Sequence, residues 1–249
     1  MKKYVVTATL MAGLSMISGA AFAQTSGTVG VNYARADAGG GDADSYGVSG
    51  GVSIPVGGSL AILLDGSYQT NDDADVDVLT GTAHLIKRDA GSAWGGYVGL
   101  ANIDAGAGGN ADAWGLGGEY AKFFDASTLA LSLGYATDDD NNVDVYGVTG
   151  EYRIFASDNL RFDLGAGWAN VDDGISDGDG TQIGAGVEYR FGGSPISIGA
   201  NVAHVDTDGG DADVIGATLR FDFGNGSLKA RDRTGNTFGA LGGLASFLQ

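Results

Sequence analysis

The chain has 249 residues, of which 46 are glycine, 2 are proline and none is cysteine, and its formal net charge is −18. The lack of cysteine excludes disulfides and thiol chemistry, and a hydrophobic fraction of 43% is too high for a disordered polar chain. Because nucleic-acid phosphates repel an acidic surface, we expect no nucleic-acid partner.

The first segment has the pattern of an export signal. Two lysines at positions 2 and 3 precede an apolar run from Tyr4 to Ala20, and Ala21-Phe22-Ala23 follows. A basic start, an apolar middle and an A-x-A site are typical of a secretory signal peptide, so we predict that residues 1–23 are removed by cleavage between Ala23 and Gln24. The alternative is an uncleaved membrane helix, which the shortness of the apolar run disfavours.

Residues 28–223 have the alternating pattern of short β-strands. In the segment 160–164, Leu160, Phe162 and Leu164 share one face, and Arg161 and Asp163 share the other. Similar alternation occurs at 60–69, 129–136, 146–154, 183–191 and 215–223. A soluble sandwich turns its apolar face inward, whereas a membrane barrel turns it toward lipid. No run of about 18 apolar residues follows position 24, so any membrane crossing must use strands.

The aromatic residues of the apolar faces favour the membrane barrel, because they gather at the two ends of the strands. Rings of aromatic side chains at both membrane interfaces are typical of such barrels. One predicted ring holds Tyr33, Tyr46, Tyr68, Trp114, Tyr135, Tyr146 and Trp168. The other holds Trp94, Tyr120, Phe124, Tyr152, Phe162, Tyr189, Phe191, Phe221 and Phe223.

The connections alternate between two kinds. Six windows contain 21 Asp and no Lys or Arg: 36–45, 70–77, 103–112, 137–144, 171–180 and 205–213. We interpret these as long outer loops and the five shorter connections between them as periplasmic turns. Six loops and five turns predict twelve strands with both termini in the periplasm. In the fourth strand we place Leu79, Gly81, Ala83 and Leu85 toward lipid, which turns His84 inward.

The segment 28–223 resembles Gram-negative outer-membrane β-barrels of the porin-like kind. The resemblance depends on the export signal, the alternation, the aromatic rings and the closing strand 216–223. It implies a single antiparallel all-β barrel of about twelve strands at 24–223, in the outer membrane. It also implies passive diffusion of small hydrophilic solutes, contact with lipid and lipopolysaccharide, and delivery by the barrel assembly machinery.

Residues 224–249 extend beyond the terminal aromatic with which such barrels usually end. This tail contains Lys229, Arg231 and Arg233, followed by a glycine-rich apolar stretch. A periplasmic helix, a plug in the lumen and a disordered segment are all compatible with it. The glycine content favours a disordered or weakly docked tail.

Charged residues on the lumen-facing side form the candidate functional site. They mix five acids with four arginines near the periplasmic half, where they would set a constriction that sorts solutes by size and charge. The alternative is a ladder of salt bridges that mainly braces the barrel. The predicted pore-lining residues are Glu119, Glu151, Arg153, Arg161, Asp163, Glu188, Arg190, Arg220 and Asp222.

The acidic outer windows predict weak cation selectivity, because an acidic mouth concentrates cations. We expect no enzyme, since the two histidines, His84 and His204, have no neighbouring serine in sequence. We also expect no cofactor and no metal, because the closely spaced acids at 177–179 and 206–208 do not match a calcium loop. The alternative function is a structural or surface-interaction barrel that does not conduct.

Overall fold

The computed structural model describes residues 25–238 except 40, 72, 74, 107, 108, 175, 176, 225 and 236, so the expected signal peptide and residues 239–249 lie outside the described residues. Twelve strands and one short helix make up the described chain. They are β1 (Ser26–Ala38), β2 (Gly41–Gly57), β3 (Leu60–Asn71), β4 (Val76–Arg88), β5 (Ser92–Asp104), β6 (Asn110–Phe123), β7 (Ser127–Asp138), β8 (Val143–Ser157), β9 (Leu160–Asp172), β10 (Asp177–Arg190), β11 (Ile196–Thr207), β12 (Gly210–Phe223) and α1 (Leu228–Thr234).

The strands form one closed antiparallel barrel. Each strand pairs with its neighbours in sequence, and β1 closes the sheet by pairing with β12, with Gly27 opposite Phe223 and Tyr33 opposite Ala217. Closure leaves no sheet edge unpaired, which a bilayer requires because it offers no hydrogen-bonding partners to the backbone. The predicted twelve-stranded all-β barrel is confirmed. None of the helices in the described part of the chain is long and apolar enough to cross a bilayer.

The two faces of the barrel have the inverted polarity predicted from the alternation. Leu133 and Leu164 are 63% and 54% exposed on the outside, whereas His84 and Asp222 are 2% and 1% exposed. The fourth strand has the predicted register, since Leu85 is exposed and His84 is buried. Apolar side chains therefore cover the outer surface, and polar side chains such as His84 and Asp222 point into the bore.

Aromatic side chains pair across neighbouring strands at both ends of the barrel. At the acidic end, Tyr33 lies opposite Tyr46, and Tyr135 lies opposite Tyr146, with ring centroids 5.4 and 5.1 Å apart. At the other end, Trp94 is directly opposite Tyr120. These positions correspond to the two rings expected from the sequence and delimit the apolar band between them.

The prediction of long outer loops is wrong. Most residues of the acidic windows belong to strand ends, and the connections at that end are only two to five residues long, as they are at the other end. Asp and Gly are typical of turns in sequence, but here the hydrogen-bond ladder continues through them. Tyr33 and Tyr135 add support by donating to Asp44 and Asp144 at 2.9 and 2.6 Å.

The described part of the tail is not disordered or weakly docked, which corrects the alternative that its glycine content favoured. Residues 228–234 contain no glycine and form α1, whose N-cap Ser227 accepts a hydrogen bond from the Ala230 amide at 3.1 Å. Three of its seven residues are buried: Leu228, Arg231 and Asp232. The glycine-rich stretch that suggested disorder begins at 239, outside the described residues.

Candidate functional site

The inner wall formed by β8, β9, β10 and β12 carries eight of the nine predicted site residues. We call this group the charged belt: Glu151, Arg153, Arg161, Asp163, Glu188, Arg190, Arg220 and Asp222. Alternation places all eight on one face of the sheet, and the antiparallel register places Arg161 directly opposite Glu188. The predicted cross-strand pairing of charges is present in this pair, whose nearest atoms are 3.3 Å apart.

Glu188 is the centre of the belt. Its carboxylate lies 3.1 Å from the Arg220 guanidinium and accepts a hydrogen bond from the Ser197 hydroxyl at 2.7 Å. Glu188 is 3% exposed, so its charge has almost no access to solvent. A buried carboxylate is stable only when it is paired and hydrogen-bonded. These contacts, with that of Arg161, satisfy both requirements.

A second pairing centre forms around Arg153. Its Nη2 atom lies 2.5 Å from Glu151, and its Nη1 atom lies 2.5 Å from Asp232 of α1 and donates to the Thr237 carbonyl at 2.7 Å. The remaining pairs are Arg161 with Asp163 at 2.8 Å and Arg190 with Asp222 at 3.7 Å.

Two residues of α1 complete the belt, and sequence reasoning did not assign them to the site. Arg231 pairs with both Glu188 and Asp222, and its distance to Asp222 is 3.1 Å. Asp232 pairs with Arg153 and accepts a hydrogen bond from Thr128 at 2.6 Å. With them the belt contains five guanidinium groups and five carboxylates. The only sequence signal for this role was the presence of charges in the tail itself.

The ninth predicted site residue, Glu119, belongs to a different cluster. It lies on β6 and is hydrogen-bonded to His84 Nδ1 at 2.8 Å, while His84 Nε2 lies 2.7 Å from Asp65. Two such hydrogen bonds need two protons, one more than a neutral imidazole carries. The partner of Glu119 is this histidine, and among the described residues no arginine of the charged belt forms a salt bridge with Glu119.

An apolar patch inside the barrel was also missed. Leu63, Ile86 and Phe123 point inward and pack with three alanines and Phe238 of the tail. Leu63 and Ile86 are completely buried. Each is flanked in sequence by lipid-facing residues, so the alternation of the strands predicts that both point inward. An apolar residue on a lumen face was nevertheless not expected.

Open space remains inside the barrel. A cavity of about 370 Å³ lies between β1, β2 and β3 on one side and the charged belt on the other, with Arg231, Thr237 and Phe238 contributing to its lining. Cavities of about 260 and 290 Å³ adjoin the same belt residues, and glycines such as Gly165 and Gly184 line both. In the described ranges, no group of three or more histidine or acidic side chains could hold a metal ion.

Solved structures share this fold. An outer membrane channel from Pseudomonas putida F1 superimposes with a TM-score of 0.60 and 14% identity over 80% of this chain and 95% of its own. The KdgM porin superimposes with a TM-score of 0.56 and 11% identity over 78% of this chain and 99% of its own. The β domain of the Bordetella autotransporter BrkA superimposes with a TM-score of 0.51 and 15% identity over 80% of this chain and 100% of its own. At these identities the similarity establishes the barrel alone. No curated protein sequence matches the chain.

A family model supplies the functional class. The model described as Gram-negative porin matches residues 87–228, which is more than half of the chain and runs from the end of β4 through β12 into α1. The family indicates a channel. With its closed barrel, its lipid-facing apolar surface and its charged interior, the chain belongs to the Gram-negative porin family and is an outer-membrane channel for small solutes.

Proposed function

We propose that this porin passes small hydrophilic solutes by passive diffusion and weakly prefers cations. The observation that carries the proposal is the separation of charge along the barrel. The six acidic windows hold 21 Asp and form one end, whereas the lysines and arginines of the described residues, apart from Arg35, lie toward the other end. Such a mouth raises the local concentration of cations and repels anions.

The acidic charge at the outer end is poorly neutralised by the protein. Arg35 pairs with Asp42 and lies 3.8 Å from Asp44, and His204 lies 2.8 Å from Asp213, which accounts for three of the acids. Elsewhere acids stand directly opposite each other across strands, as do Asp206 and Asp211 in the β11–β12 hairpin. Like charges in this position repel, and mobile cations from solution would reduce that repulsion.

The belt contributes size selection more than charge selection. Its five guanidinium groups and five carboxylates cancel in formal charge and hold each other in fixed positions. We therefore assign the narrowest part of the channel to the predicted pore-lining residues other than Glu119, and the ionic preference to the outer rim. In this proposal bracing and constriction are two effects of the same salt bridges.

The rim is tested by recording reversal potentials in planar bilayers under a salt gradient. We expect the wild-type porin to prefer cations, and the exposed rim variant Asp139→Asn/Asp140→Asn to move the reversal potential toward zero. The matched control is Asp125→Asn/Asp158→Asn, which removes two exposed acids at the other end. An anion-preferring wild-type channel, or equal shifts in both variants, would contradict the assignment to the rim.

The route to the membrane completes the proposal. Residues 1–23 act as the export signal and are cleaved between Ala23 and Gln24. The terminal strand β12 and its last aromatic residue, Phe223, are presented to the barrel assembly machinery, and the acidic rim meets the lipopolysaccharide leaflet. The alternation and the terminal aromatic support these assignments. N-terminal sequencing of the purified outer-membrane protein tests the cleavage site.

A further inference from the structure

The chain turns into the barrel directly after its last strand. Gly224 has φ +75°, in the left-handed region that favours glycine, and a side chain there would collide with the Thr25 carbonyl and Ser26. The chain therefore leaves β12 through a turn that packs against the start of β1.

From that point the segment 227–238 reaches across the bore. In the middle of the segment, Arg231 contacts Glu188 on β10 and Asp222 on β12. Near its end, Arg88 on β4 donates to the carbonyls of Thr234 and Gly235, each at 2.9 Å. Because β12 and β4 lie on different sides of a twelve-stranded barrel, these contacts fix two points of the segment to separate parts of the wall.

Two further contacts of the segment are buried. Asp232 is 1% exposed and lies between Thr128 on β7 and Arg153 on β8, while Phe238 packs into the apolar patch with Leu63 and Ile86. A segment resting loosely at the mouth would leave its charged side chains in water. Here Arg231, Asp232 and Phe238 of the segment are all buried and fill part of the bore.

We propose that the segment 227–238 is a tethered plug that closes the periplasmic mouth of the channel, and that its withdrawal opens it. The inference rests on the channel function of the barrel. When the plug leaves the bore, water can replace the ion pairs and hydrogen bonds that it makes with the wall. The chain connects the plug to β12 only through 224–226. The plug can therefore leave the bore while the strand ladder stays intact.

The decisive experiment locks and releases the plug in the full-length chain. The natural sequence has no cysteine, so Thr128→Cys/Asp232→Cys introduces a unique pair at two side chains now joined by a hydrogen bond. The pair is joined with a reducible bifunctional thiol reagent, and single channels are recorded before and after reduction. We expect low conductance in the locked state and a severalfold rise when the link is reduced; Thr128→Cys alone should not respond to the reductant.

A charge reversal provides an independent readout. Asp232→Arg places a second guanidinium beside Arg153, so it should expel the plug and give a severalfold higher conductance than wild type. The matched control is Lys229→Ala on the same helix, because the Lys229 ammonium lies at the rim, 3.9 Å from the exposed Asp158. This control should conduct like wild type. Circular dichroism of each variant establishes that the barrel is folded before conductance is compared.

The outcomes separate the plug from the channel. Equal conductance in the locked and reduced states, with both conducting, would overturn the plug and leave the channel function intact. Folded protein that stays silent when locked, when reduced and with Asp232→Arg would overturn the channel function and the plug together. If Asp232→Arg does not fold, the locked and reduced states of the cysteine pair still decide the matter.

Discussion

His84 joins two buried carboxylates on the inner wall of the barrel. Its ring lies between Asp65 and Glu119, and no part of the His84 or Glu119 side chain is exposed. His84→Leu would leave two carboxylates facing each other with no partner. We expect the free energy of unfolding to fall by about 3 kcal/mol, the scale for breaking a buried ion pair.

Denaturant unfolding of detergent-refolded protein measures this loss. The control is Ser67→Ala on the same inner wall, which removes one neutral hydrogen bond to Thr80, 2.7 Å long, and should cost about 1 kcal/mol. A His84→Leu variant as stable as Ser67→Ala would show that the cluster is not held by charge.

For single residues, the sequence could predict which face of the barrel a side chain points to, but not which residue it pairs with. Alternation placed Glu188 and Arg161 on the lumen face, and the cost of a histidine facing lipid selected the register of the fourth strand that turns His84 inward. The pairing of His84 with Glu119 depends on the register of three strands, β4, β5 and β6, because the two residues lie 35 positions apart. No local pattern contains that information, so Glu119 was grouped with the arginines of the belt.

At the scale of one strand, the two faces of β8 should respond in opposite ways to the same substitution. Val148 is exposed on the lipid side, and its neighbour Thr149 lines an internal cavity near Glu151. Val148→Arg puts a charge into hydrocarbon and should destabilise the barrel by about 2 to 4 kcal/mol near the bilayer centre. Thr149→Arg puts the same side chain into the bore and should cost much less.

Unfolding in lipid vesicles by denaturant measures both variants under the same conditions. Detergent micelles are unsuitable, since they adapt to a charge more easily than a bilayer does. Equal losses in the two variants would contradict the inverted orientation of the strand. A larger loss for Thr149→Arg would mean that the bilayer contacts the face of Thr149 and not the face of Val148.

Elements with a strong period were predictable, and elements defined by their surroundings were not. Twelve strands followed from alternation and from the spacing of the acidic windows. The outer connections were predicted too long because Asp and Gly indicate turns, whereas Asp206 and Asp211 lie within a paired ladder. The helix α1 has only seven residues, too few to be stable alone, so it exists because Arg231 and Asp232 find partners in the belt.

Across the whole molecule, the separation of charge defines an outside and an inside. The acidic hairpins include 139–142, and the opposite end includes the turn at 124–126 between β6 and β7. Both termini of the barrel, Ser26 and Phe223, lie at that second end, where α1 also begins. We therefore expect the acidic hairpins to face the medium and the α1 end to face the periplasm.

The absence of cysteine allows this orientation to be measured on intact cells. Asn141→Cys places one thiol in an exposed acidic hairpin, and Ala126→Cys places one at the exposed turn of the other end. A maleimide too large to enter the bore should label Asn141→Cys on whole cells, whereas Ala126→Cys should react only after the outer membrane is permeabilised. Labelling in the reverse order would place the acidic rim in the periplasm. It would also move the plug to the outer mouth, where it would restrict entry of solutes from the medium.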